Sequence, residues 1–332
     1  MYYGETRLNS PKWLYTKHLQ TIVPNIYREV NGVSYNRERI TTWDDDFLDL
    51  DWSCVGSKKV VIISHGFEGS SSRVYARGLV KILNAHGFDV CAWNFRGCSG
   101  EDNLQYYAYH SGKTEDLNHV VEHVLQKKAY EEYHLIGISM GGNMLMKYLG
   151  EEKWESVHTI TSAVAVSVPM HYETTFPHLI KGWNQIYERR FTKQVKEKVK
   201  NKEARFPKAM DYKKIAEAKN LWEFTEFCIV PNHGFKNVHD YNLKVQASAY
   251  VHQIKTPILL IQADNDPLLT KECYPISFAK KSHFFSLEIT IGGGHVGFCE
   301  DIKAEHNWLE KRIVSYFTSG DTIHHLHVKH EE

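Results

Sequence analysis

Short apolar, β-branched runs alternate with amphipathic stretches along most of this chain, and that rhythm restricts its fold more than any other feature. Lys59–Ser64 (KVVIIS) reads as a buried strand stopped by His65 and Gly66. Val74–His86 carries apolar residues at helical spacing and stops at Gly87, and Phe88–Phe95 is a second strand. Thr114–Lys128 puts Leu117, Val120, Val121, Val124 and Leu125 on one helical face. Tyr133–Ile138, Met140–Leu149 and Ser162–Val168 continue as strand, helix and strand. Strand–helix–strand at this interval calls for right-handed crossovers and a mostly parallel sheet covered on both faces. Asp46–Ser53 alternates and suits an antiparallel starter strand. After Pro169 the rhythm stops; it resumes at Pro257–Gln262, Phe284–Ile291 and a final amphipathic helix, Glu305–Phe317. The intervening stretch is rich in Lys and aromatics and poor in β-branched runs. It reads as a mainly helical cap, residues 170–249, inserted into an α/β core of residues 1–169 and 250–332.

Composition excludes several classes. Hydrophobic residues make up 42% of 332, enough for a sizeable core. Lys+Arg and Asp+Glu both total 40, so no whole-protein basic field exists for gripping nucleic acid. Mean hydropathy is −0.45, and no apolar run approaches the ~18–20 residues of a membrane span. The first twenty residues lack a charged region followed by an apolar one, so no secretory signal is read there. Six cysteines without a C-x-x-C pair suggest reduced thiols and a cytoplasmic location, with neither zinc nor redox motif. Between Met170 and Asn220, 13 Lys/Arg stand against 6 Asp/Glu. A solvated helical face is the plainer reading. An anionic substrate, or peripheral docking on a membrane through this basic stretch and Phe176, Trp183 and Phe191, is the other.

The chemistry centres on Gly137-Ile138-Ser139-Met140-Gly141, a G-x-S-x-G that follows a strand and opens a helix. Such a turn holds its serine in strained backbone geometry and needs small residues two places before and after it. A serine hydroxyl also needs a base, and in this topology the partners follow in the order Ser, Asp/Glu, His. The acid lies in Gln262–Pro267, where Asp266 is favoured over Asp264 because it sits further along the turn. The base is His295, one of twenty histidines, chosen for its glycine-rich loop just past the last strand. The backbone N–H groups of Phe67, after the first buried strand, and Met140 are the expected oxyanion donors, with His65 and Gly66 shaping the loop. Arg96 is read as a tie between loops and Cys98 as a buried thiol rather than a nucleophile. The histidines of the tail (His324, His325, His327 and His330) read as a frayed terminus. This mechanism calls for no metal and no cofactor.

These motifs together resemble the YheT-like branch of the α/β-hydrolase fold superfamily. The matching stretches are His18–Thr21, His65–Ser70, Asn94–Glu101, Gly137–Gly142, Pro231–Tyr241, Asp266-Pro267 and Gly294–Phe298, in the family's order over nearly the whole chain. The resemblance implies an α/β-hydrolase core with a helical cap, a Ser139–Asp266–His295 triad and hydrolysis of carboxylic esters, often with short acyl groups and in some relatives lipids. The chain departs from the family pattern in the cap. Phe224-Thr225-Glu226 stands where the family has paired aspartates, and Tyr241-Asn242 where it has two tyrosines. A serine esterase on short- to medium-chain acyl esters is the first functional reading. A lipid-directed hydrolase or acyltransferase, or a thioesterase, would use the same residues. A non-catalytic ligand- or protein-binding member of the fold is the reading of another class.

Overall fold

The computed structural model describes residues 3–319. Among them nine strands form one sheet: β1 (Tyr3–Arg7), β2 (Asn36–Thr41), β3 (Phe47–Ser53), β4 (Lys59–Ser64), β5 (Asp89–Asn94), β6 (Glu132–Ile138), β7 (Ser162–Val166), β8 (Ile258–Ala263) and β9 (Phe285–Ile291). The order across the sheet is β1-β9-β8-β7-β6-β4-β5-β3-β2. Only β3 runs against its neighbours, pairing antiparallel with β5 and β2. This is the α/β-hydrolase architecture, with the antiparallel strand where Asp46–Ser53 predicts it. The central strands β4 to β8 are almost wholly buried, which is why they read as continuous apolar runs.

The helices are α1 (Lys17–Tyr27), α2 (Val74–Ala85), α3 (Thr114–Lys127), α4 (Met140–Gly150), α5 (Tyr172–Leu179), α6 (Gln185–Glu203), α7 (Tyr212–Glu217), α8 (Leu221–Phe224), α9 (Val230–Asn232), α10 (Val238–Val245), α11 (Ile276–Ala279) and α12 (Trp308–Ser319). Leu79 and Leu83 of α2 and Leu309 and Ile313 of α12 cover one sheet face, against Val61, Ile136, Val164 and Ile261. Val120 and Val121 of α3 and Met144 and Leu145 of α4 cover the other. Helices α5 to α10 lie between β7 and β8; α5 to α8 share an apolar cluster that takes in Leu268 of the core and packs against Ile22 and Phe67, and α9 and α10 join Tyr172 in a second.

Two strands carry no apolar signal in the sequence. β1 (YGETR) and β2 (NRERIT) are partly exposed edge strands. β2 is held instead by charge: Arg37 and Arg39 face Asp51 and Asp49 of β3 and make two-pronged ion pairs with them. Arg96, just past β5, is fully buried, as a loop tie should be. It grips both carboxylate oxygens of Asp116 at 2.8 Å and reaches Asp44 at 2.8 Å and Asp46 at 3.0 Å.

Backbone packs closely where β6, β4 and α4 converge. A Cβ on Gly141 would stand 2.4 Å from the carbonyl oxygen of His65 and 2.5 Å from that of Ser64. Gly141→Ala should therefore cost about 3 kcal/mol or more. Gly87→Ala, which meets open space at a φ of +76°, should cost about 1–2 kcal/mol. Urea unfolding of the two variants checks the ranking.

Candidate active site

Ser139 sits between β6 and α4 with φ of 54° and ψ of −118°, a conformation that non-glycine residues rarely adopt. Its N–H donates to the carbonyl of Val166 at 2.8 Å and its own carbonyl accepts from Asn143, so the turn is held from both sides. His295 Nε2 lies 2.9 Å from Ser139 Oγ, and His295 Nδ1 lies 2.8 Å from Asp266 Oδ2. The other oxygen of Asp266 accepts the N–H of Leu268 at 2.9 Å. Three loops, after β6, β8 and β9, thus bring one alcohol, one imidazole and one buried carboxylate into a single hydrogen-bonded row. Asp264 goes elsewhere: its Oδ1 accepts the N–H of Gly292.

Met140 is the first residue of α4, so its N–H has no carbonyl inside the helix. The N–H of Phe67 donates to no group among the described residues. A Cβ on Gly66 would stand 3.3 Å from Ser139 Cβ, which puts the Phe67 loop beside the serine. His65 shapes that loop. Its Nδ1 lies 2.7 Å from the Gly66 carbonyl and its Nε2 accepts the N–H of Phe95 at 3.1 Å, an arrangement that suits the neutral ring. Burial pushes its pKa down to about 3.

The glycine-rich loop is anchored by a part of the chain to which motif reading gives no role. Thr21 Oγ1, in α1, accepts the N–H of His295 at 2.9 Å. Gln20 Oε1 accepts from Gly293 N and Asn265 Nδ2, both at 2.8 Å, and Asn265 Oδ1 accepts from Gly294 N at 2.9 Å. Gly292, Gly293 and Gly294 all have positive φ, so glycine there allows the loop to wrap this helix. The sequence signal was the run His18–Thr21, which belongs to the family pattern but carries no nucleophile, acid or base.

Ser139 and His295 open into a cavity of about 330 Å³ under helices α5 to α9. Phe67, Phe176, Leu179, Phe191, Leu221 and Phe224 are among its walls. Phe176 and Phe191 are therefore cavity residues, a correction to their reading as surface aromatics; Trp183 alone of the three is exposed. At another part of the wall His110 and His233 pack edge to face at 4.5 Å. The Nε2 of His233 has no hydrogen-bond partner among the described residues. Cys98 is partly buried; desolvation pushes its thiol up to about 11, while Lys198, whose Nζ lies 3.1 Å from Sγ, pulls it the other way. Among the described residues no cluster of His, Cys, Asp and Glu is arranged to hold a metal ion. The tail histidines lie outside the described residues.

Comparison with known proteins settles the lineage. Residues 56–283 match the family model described as serine aminopeptidase, S33 (Hydrolase_4). The putative esterase YheT of Escherichia coli strain K12 is 30% identical over 309 residues, 91% of this chain and 90% of its own. The chain is a YheT-like α/β-hydrolase of the S33 family. Human phospholipase ABHD3 is 25% identical over 94% of this chain and 78% of its own. The solved esterase Pf2001 of Pyrococcus furiosus superposes with a TM-score of 0.58 at 21% identity, covering 95% of this chain and 98% of its own, a likeness of fold. Among relatives of these kinds, this YheT-like hydrolase is of the esterase and lipase type.

The stretch matched to the S33 family omits both α1 and His295. In this YheT-like chain those two are in direct contact, so the imidazole loop is held by residues outside the matched stretch.

The basic stretch is not wholly a solvated face. Lys198 and Lys202 of α6 point inward onto core loops. Lys198 Nζ pairs with Glu68 at 2.9 Å, and Glu68 also accepts from Tyr109 Oη at 2.7 Å, while the N–H of Glu68 donates to the same tyrosine. Lys202 reaches Asn103 Oδ1 at 2.6 Å and the Gln105 carbonyl at 2.5 Å with no carboxylate in contact, and burial lowers its pKa to about 8. Helix α6 is thus tied by charge to the residue that follows Phe67.

Two stability predictions follow from these groups. Lys198→Met leaves the Glu68 carboxylate buried and unpaired and should cost about 3 kcal/mol, much of it recovered in the Lys198→Met/Glu68→Gln double variant. Urea unfolding of the three proteins measures that coupling. Second, burial lowers His65, His110 and His233, the last to about 4. The unfolded chain, with ordinary values near about 6.5, therefore takes up these protons first as pH falls. Their contribution is complete above about pH 6.5 and is lost below it, by up to about 1.4 kcal/mol per pH unit for each histidine. His233→Gln should flatten the fall in stability between pH 6.5 and pH 5; an unchanged slope contradicts the assignment.

Proposed function

We propose that this protein is a serine esterase that cleaves carboxylic esters through an acyl-enzyme. The observation that carries the reading is the row Asp266–His295–Ser139 opening into an apolar cavity. Ser139 Oγ attacks the acyl carbonyl as His295 Nε2 takes its proton. The N–H groups of Phe67 and Met140 receive the developing oxyanion, each contributing about 3 kcal/mol to the barrier reduction. Asp266 fixes the ring through Nδ1 and stabilises the imidazolium. His295 then delivers the proton to the leaving alcohol and next activates a water that attacks the acyl-enzyme. No cofactor enters this scheme.

Residues 170–249 act as the cap, and their apolar side chains take the acyl chain. A cavity of about 330 Å³ lies at the small end of the range of roughly 300–1,000 Å³ for ligand pockets, which suits short to medium chains. The phospholipase name of the human relative favours lipid esters as the second reading within the same chemistry. All six cysteines are free, in keeping with a reducing compartment such as the cytoplasm.

A fluorophosphonate probe should label the wild type and not Ser139→Ala. With p-nitrophenyl esters, Ser139→Ala should lower kcat by about 10⁴-fold or more. The wild-type rate should peak at short to medium acyl length. A well-folded wild type that takes no label would instead point to a binding protein.

A further inference from the structure

Five of the thirteen exposed large hydrophobic side chains among the described residues fall in two short stretches. Ile26 (60% exposed) and Tyr27 (69%) end α1, and Ile180 (46%), Trp183 (74%) and Ile186 (52%) cluster at the start of α6. The two stretches meet, because His18 Nδ1 lies 3.0 Å from Tyr187 Oη and their rings stack at 5.8 Å. The same stretches edge the cavity: Ile26 and Arg190 line it together with Ser139. The patch is therefore continuous with the mouth through which substrate reaches the serine.

Charge selects the occupant. Lys12, Lys17, Lys181, Arg189 and Arg190 are exposed in these two stretches and make no ion pair among the described residues. Residues 12–28 contain no acid, the exposed Glu29 follows them, and residues 180–190 contain only Glu188. Glu188 is buried, its Oε1 accepting from Thr192 Oγ1 and from the N–H of Leu221. An apolar patch whose exposed charges are five cations against one acid, Glu29, matches an interface of buried acyl chains beneath anionic head groups.

We propose that this mouth docks on an anionic lipid bilayer, with Trp183, Ile186 and Tyr27 inserted and Lys181 and Arg189 on the head groups. The docking stands on the surface alone; that it delivers an ester to Ser139 rests on the esterase reading.

Flotation with phosphatidylcholine vesicles containing phosphatidylglycerol tests it at low salt. Wild type should float with them, should float much less with pure phosphatidylcholine, and should be released at about 1 M salt, where the Debye length is near 3 Å. Trp183→Glu/Ile186→Glu should lower the bound fraction about tenfold. Neither residue lines the cavity, so labelling by the fluorophosphonate and hydrolysis of a water-soluble short ester should be unchanged. If that variant fails to fold, Lys181→Glu/Arg189→Glu should show the same loss. Wild type that stays unbound, or variants that bind like wild type, overturn the proposal. So does a wild-type dimer that Trp183→Glu splits, since a second copy would then cover the patch. Vesicle binding by a wild type that takes no label would leave docking standing and remove the esterase reading.

Discussion

The structure turns on the close approach of backbone around Ser139. A left-handed residue between β6 and α4 lifts one hydroxyl out of the sheet, and this is possible only because neighbouring side chains are missing. A Cβ on Gly137 would stand 2.6 Å from the Gly141 carbonyl oxygen. The strain at Ser139 is held by its hydrogen bond to β7 and by burial of the strands on either side. Strand order, helix placement and the direction of α4 all serve that one turn.

Buried charge does the next share of positioning. Arg96 joins the segments that carry Asp44, Asp46 and Asp116, and Lys198 joins α6 to Glu68. Such pairs contribute little net stability because desolvation offsets their attraction, but breaking one is costly. They hold loops in one arrangement where apolar contact alone would allow sliding. The loop bearing Phe67 is fixed in this way by Lys198, Tyr109 and the neutral ring of His65.

Much of this was legible in the sequence because buried parallel strands are apolar on both faces. Lys59–Ser64 coincides with β4, and the other core strands and helices depart from their expected ends by at most three residues. The geometry of the candidate site was legible because chain order limited the choices: Ser139 and His295 lie in glycine-marked loops, and Asp266, past Asp264 in its turn, is the acid that reaches the imidazole. The misses share one cause. β1 and β2 owe their place to pairing across the sheet edge, and Arg37 and Arg39 look like solvated charge until Asp51 and Asp49 stand opposite. Phe176 and Phe191 read as surface residues because helical periodicity does not say which face meets a cavity. Gln20 and Thr21 were visible as a family segment, yet their hydrogen bonds to the His295 loop cross more than 270 residues and leave no local pattern.

That long span has a bearing on how the protein is made. Synthesis runs from residue 20 to residue 295, so the serine turn and the Phe67 loop leave the ribosome well before the imidazole does. Until the last loop settles onto the first helix, Ser139 lacks its hydrogen-bond partner His295. On the proposed esterase reading, every product that stops short of residue 295 lacks the base.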